Sequence, residues 1–104
     1  MTAYVIFIRE KTLDQREMDI YAEKVPATLP SVPIQLLSAY GRLEVFEGET
    51  PEGVVLFSFP TVEDARAWYD SDAYQSVVRH RHAGATYRGF VIEGVALKPV
   101  PGQA

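Results

Sequence analysis

The chain has 104 residues, 47% hydrophobic and 12% aromatic, enough to bury one core in one domain, and its 23% charged content is that of a globule, not a disordered tail. A net charge of −4 opposes non-specific nucleic-acid binding, because the one basic run, Arg79-His80-Arg81-His82, is too short to supply the footprint. With no cysteine, disulfides, thiolate metal ligands and thiol nucleophiles are excluded, and a reducing compartment fits.

Ala3 to Ile8 is a β-branched and aromatic run and reads as the first strand, with Arg9 to Leu13 as a polar turn. Asp14, with Glu17 three residues on, is the capping-box spacing that opens a helix. Met18, Tyr21 and Val25 form its inward stripe, and Pro26 ends it. Pro30 and Pro33 keep the next stretch irregular. Ile34 to Tyr40 is the second strand, broken by Gly41, with Leu43 to Phe46 expected as a bent continuation. Residues 47–53 have turn chemistry, and Val54 to Phe59 is the third strand, closed by Pro60. A second helix starts at Thr61, paired with Asp64, and carries the stripe Val62, Ala65 and Tyr69. Ser71 caps a further helical segment in which Tyr74, Val77, Val78 and Arg81 share one face and which Gly84 stops. Tyr87 to Leu97 is the last strand. Residues 98–104 are expected to be an extended or disordered tail behind a domain of residues 1–97.

The order β-α-β-β-α-β predicts a ferredoxin-like α+β fold, an antiparallel sheet with two helices on one face. The other face should then be polar, yet the strands are apolar on both sides: Tyr4, Ile6 and Ile8 against Val5 and Phe7, and Val54 and Leu56 against Val55, Phe57 and Phe59. An apolar open face needs a cover, so a homodimer packed sheet to sheet is expected. The apolar runs are of strand length, and the N-terminus lacks a leader pattern, so the cytoplasm is expected and a membrane partner is not.

The stretch from Phe59 to Gln75, with its Trp68-Tyr69 and Ser71 before Tyr74, resembles the signature of domain-of-unknown-function family 1330. Lys24-Val25-Pro26, Arg81 and Ile92-Glu93-Gly94 extend the resemblance over roughly residues 3 to 95. It implies a dimeric α+β barrel of two ferredoxin-like subunits. It implies no single activity, because the wider superfamily holds cofactor-free monooxygenases, lactone isomerases and haem enzymes. Pro33-Ile34 stand where relatives carry Gly-Gly, and Asp72 where they often carry Pro.

Arg81 falls at the centre of an apolar helix face and needs a partner, for which Glu93 in the last strand is the candidate. The pair reads first as a structural tie and second as an anion-binding Arg with Glu93 orienting it or accepting a proton. His80 and His82, two apart on a helix, point away from each other and cannot share a metal; helix-end charge is their first reading, with His82 a candidate general base. Trp68, Tyr69 and Tyr74 read as core before ligand-stacking, although Trp68 and Tyr74 remain candidate ligand contacts. Tyr40 is a candidate orienting group for a ligand near the sheet. Glu44, Glu47, Glu49 and Glu52 lack the spacing of a calcium loop and read as solvated. No metal or cofactor is expected. These residues support two functions: a small-molecule enzyme of cofactor-free oxygenase or isomerase type, or a non-catalytic protein that binds a small metabolite or acts as an accessory dimer.

Overall fold

The computed structural model describes residues 1–96 and 99–102. Its elements are β1 (Ala3–Thr12), α1 (Gln15–Lys24), a 3-10 turn (Val25–Thr28), β2 (Gln35–Ala39), β3 (Gly53–Phe59), α2 (Val62–Asp70), α3 (Asp72–Gly84) and β4 (Ala85–Glu93). The sheet runs β2-β3-β1-β4, and every neighbouring pair is antiparallel. This is the ferredoxin-like α+β arrangement, with the second helical layer split into α2 and α3 at Ser71.

Local chemistry sets the helix starts. Asp14 accepts from the Arg16 amide at 3.0 Å, Thr61 from the Asp64 amide at 3.0 Å, and Ser71 from the Tyr74 amide at 3.1 Å. The capping box at Asp14 is half made. Glu17 turns away, and its Oε2 lies 2.6 Å from Nδ1 of His80, tying α1 to α3. Gly84 ends α3 through packing: the side chain and backbone of Met18 occupy the space a Cβ would need, and the Gly84 carbonyl accepts from the Leu13 and Asp14 amides.

One sheet face carries the core. Val5, Phe7, Phe57 and Phe59 pack against Ala65, Trp68, Tyr74 and Val78, and Tyr74 is 0% exposed. In α2 the buried stripe is Ala65 and Trp68, where Tyr69 was expected in place of Trp68; Tyr69 is only half-buried. The opposite face presents the cross-strand rows Tyr4–Ser58, Ile6–Leu56 and Ile8–Val54, flanked on β4 by Ile92, Phe90 and Arg88. Phe90 is 48% exposed and Ile92 57%, so the open face is apolar and uncovered within one chain.

β2 differs from the sequence pattern by one residue at each end and β3 by one at its start, and three stretches differ by more. Arg9 to Thr12 belong to β1 and are not a turn, because a register shift between Arg9 and Lys11 lets β1 keep pairing with Thr86 and Ala85. Leu43 to Phe46 form no strand; this exposed segment has no ladder partner, and the Phe46 side chain is open to solvent. β4 starts two residues earlier than expected and stops at Glu93. Leu97 and Lys98, where the strand end and tail were expected to meet, and Gln103 and Ala104 at the tail's end, lie outside the described residues. Among the described residues no helix is long and apolar enough to cross a membrane.

Candidate functional site

The inward face of β1 continues past Val5 and Phe7 to Arg9, which is only half-buried. Its guanidinium donates from Nε to the Tyr87 hydroxyl at 2.8 Å and from Nη2 to the Tyr40 hydroxyl at 2.8 Å, and the two hydroxyls are 2.7 Å apart. Its Cζ lies 4.7 Å from the Tyr40 ring centroid and 5.7 Å from that of Tyr87. Burial opposes the Arg9 charge, but the bonds to Tyr87 and Tyr40 outweigh it and raise the pKa. Burial also pushes Tyr87 up to about 12, helped by its bond with Tyr40 and opposed by Arg9.

Tyr40 is held there by backbone geometry. It follows the last residue of β2 with φ at +54°, a conformation uncommon outside glycine, and its amide donates to the Val54 carbonyl at 2.9 Å. Its ring lies flat on Gly53, where any Cβ would collide with it. The left-handed turn and the glycine together aim the hydroxyl at Arg9 and Tyr87.

Arg81 projects from α3 onto the same wall and is 5% exposed. Its Cζ stands 4.8 Å from the Phe7 ring centroid and 5.0 Å from that of Tyr87. Glu93 is not its partner. It is exposed, pairs with Ala3 at the far end of β4, and lies four residues, about 13 Å of strand, from the Gly89 position that pairs with Phe7. Among the described residues no carboxylate forms an ion pair with Arg81, and its buried Nε makes no hydrogen bond. The expected ion pair is replaced by two aromatic rings.

Two cavities meet at this wall. The first, about 320 Å³, opens beneath α1 and β2; Met18, Val25, Ile34 and Leu36 line its apolar side, and Arg9, Tyr40, Tyr87 and Arg81 its polar end. The second, about 350 Å³, lies between α2, α3 and β4 and includes Arg66, Tyr69, His82 and Gly89. Phe7, Trp68, Arg81 and Tyr87 border both. Both volumes suit a small molecule.

The predicted site residues separate accordingly. Arg81, Tyr40 and Trp68 line the first cavity. The Trp68 indole N–H is spent on Thr28 Oγ1 at 3.0 Å, so only its ring is presented. Tyr74 lines neither cavity; fully buried, it lies behind Tyr21, whose hydroxyl is 2.8 Å from its own, and behind Trp68, whose ring centroid is 4.2 Å from its own. His82 is largely exposed and faces the second cavity, where burial and the Arg81 charge lower its pKa. Of the acidic residues, Glu52 accepts from the amide and hydroxyl of Thr12, which draws its carboxyl below the usual range.

Arg9, Tyr21 and Tyr87 escaped the sequence reading. A usable signal was present for Arg9, since it keeps the i, i+2 parity of Val5 and Phe7 on the face that meets the helices. Residues 2–95 match the family model described as a domain of unknown function, DUF1330. The chain belongs to that family. No curated protein matches this DUF1330 chain. A protein of unknown function from Rhodopseudomonas palustris superposes with a TM-score of 0.73 at 14% identity, over 94% of this chain and 84% of the other. A dimeric protein of unknown function and ferredoxin-like fold from Bacteroides fragilis gives 0.54 at 14% identity, over 89% and 96%. SnoaB, a cofactor-independent oxygenase from Streptomyces nogalater, gives 0.55 at 11% identity, over 96% of each chain. At these identities the likeness is one of fold.

Proposed function

We propose that this DUF1330 protein is a homodimer in which the cavity beneath α1 takes one small, mostly apolar molecule and carries out cofactor-free oxygenation or isomerisation. The observation that carries the reading is an apolar cavity of about 320 Å³ ending in a buried guanidinium that pairs with no carboxylate among the described residues. A buried charge of this kind is costly in the empty protein and is compensated when a complementary group enters. The fold is shared with a cofactor-independent oxygenase. Chemistry without a cofactor draws its electrons from the substrate, which must first lose a proton, and a cationic cavity favours that loss.

The dimer rests on the open face. Ile6, Leu56 and Phe90 stand in one cross-strand row at its centre, and covering them with a second copy removes an apolar patch from water. The Bacteroides fragilis protein of this fold is dimeric. Light scattering after size exclusion is expected to give twice the chain mass, and Leu56→Lys to give the monomer.

A binding role without turnover is the second reading. Its support is that no histidine or carboxylate lines the first cavity among the described residues, so no base of the usual kind faces a ligand there. Thermal-shift screening against phenols, β-diketones and aromatic carboxylates, followed by oxygen uptake and mass spectrometry of recovered ligand, separates the two. A ligand at about 100 times its Kd stabilises by roughly 2.7 kcal/mol. Oxygen consumption or a rearranged product supports the enzyme, unchanged ligand supports the binder, and stabilisation by none of them sinks both.

A further inference from the structure

We infer that the cavity beneath α1 holds its ligand as an oxyanion, the conjugate base of a weak oxygen acid such as an enol, a phenol or a carboxylic acid. The inference rests on that cavity being the ligand site, and it follows from counting protons at the polar end. Both hydroxyls of the Tyr40–Tyr87 pair accept from Arg9, so one hydroxyl donates to the other and a single O–H is left with no acceptor among the described residues. Tyr74 has no route to water and must spend its proton on Tyr21, which leaves the Tyr21 O–H on the cavity wall. Arg81 adds a guanidinium whose Nε has no hydrogen-bond partner among the described residues. The tyrosine oxygens already accept, and among the described residues no Asp, Glu, His, Asn, Gln, Ser or Thr side chain lines the cavity.

The wall therefore offers donors and two positive charges, and almost no acceptor. Glu52, which feels the Arg9 charge, has its carboxylate engaged by Thr12. A neutral hydroxyl ligand would carry in a proton with nowhere to put it, and an amine would face two guanidinium groups. An oxyanion accepts from every donor at once and neutralises charge that the folded chain leaves uncompensated. The apolar remainder of the cavity, from Met18 to Leu36, suits an aromatic or alkyl body attached to that oxygen.

Titrating the protein with 4-nitrophenol tests this, because phenol and phenolate absorb at different wavelengths and the bound form can be read directly. The bound pKa is expected to fall by about one unit or more, a tenfold preference for the phenolate. 4-Nitroanisole, the neutral analogue, is expected to bind at least about tenfold more weakly by the same conversion. Arg81→Met, and separately Arg9→Met in case the first variant misfolds, should remove most of the pKa change while circular dichroism keeps its native form. Equal binding of the anisole with an unshifted phenol would overturn the oxyanion assignment and leave the cavity as a ligand site. Failure of both probes to bind at millimolar concentration would remove the cavity reading itself.

Discussion

Replacing Arg81 with methionine removes a charge that is 5% exposed and keeps much of its volume between the rings of Phe7 and Tyr87. The two ring contacts, at 4.8 and 5.0 Å, are each worth up to about 2 kcal/mol when desolvated, or about 2–4 kcal/mol together. Against them stands the effective desolvation of an ion without a counterion, several kcal/mol after relaxation. A methionine thioether recovers about 0.3–1.5 kcal/mol per aromatic contact. These terms nearly cancel, so the empty Arg81→Met protein is expected to lie within about 1 kcal/mol of the wild type, or above it, in urea unfolding. In a domain of this size 1 kcal/mol corresponds to about 4–8 °C in Tm. Stabilisation by ligand should disappear. A loss beyond about 3 kcal/mol with ligand binding preserved would refute the argument and make Arg81 a structural tie. The two outcomes differ in size, because a group retained for ligand holding should add little or no stability to the empty protein.

Gly53→Ala places a Cβ against the Tyr40 ring, 2.7 Å from Cε1, so the ring must leave Arg9 and Tyr87; calorimetric titration should show weakened ligand binding at a stability cost of about 1–3 kcal/mol. Glu17→Gln keeps the shape of the α1–α3 tie but loses the carboxylate at His80, and thermal melting should show a loss of about 1 kcal/mol, reduced by the partial exposure of both groups. Tyr87 has its folded pKa raised from 10.0 to about 12, so the unfolded chain releases this proton first. Its contribution is complete below pH 10 and is lost as pH climbs through 12. Denaturant midpoints on either side of that window should fall with pH in the wild type and fall less in Tyr87→Phe.

The parts of the molecule legible in the sequence are those set by neighbours along the chain. Asp14, Thr61 and Ser71 are caps because a short oxygen side chain reaches an amide two or three residues on, and all three make that bond. Strand alternation is equally local, and the apolar character of both faces is legible in Val5 and Phe57 on one side and Ile6 and Leu56 on the other. The inward aim of Arg81 was visible for the same reason, since helical periodicity fixes direction. Glu93 failed as its partner because periodicity says nothing of position along a strand in another element.

The polar end of the cavity was hidden because it is made by pairings between distant residues. Arg9 meets Tyr40 across 31 residues and Tyr87 across 78. The approach of Tyr40 depends on irregularities that a regular pattern does not reveal, whereas Arg9 and Tyr87 are direct cross-strand partners. β1 carries a register shift just after Arg9, β2 carries one between Leu36 and Ser38, and Tyr40 adopts a positive φ. Reading the polar run from Arg9 as a turn drops Arg9 from the strand although its parity matches Val5 and Phe7, and a regular register for β2 separates Tyr40 from Tyr87. The same irregularities concentrate where the unpartnered donors lie. Regular sheet would pair its polar groups and bury apolar ones. The bulges and the left-handed residue instead direct two tyrosine hydroxyls and a guanidinium to one point beneath the helices. That placement costs backbone regularity and leaves charge uncompensated in the empty chain, which is the cost that the proposed ligand site would offset.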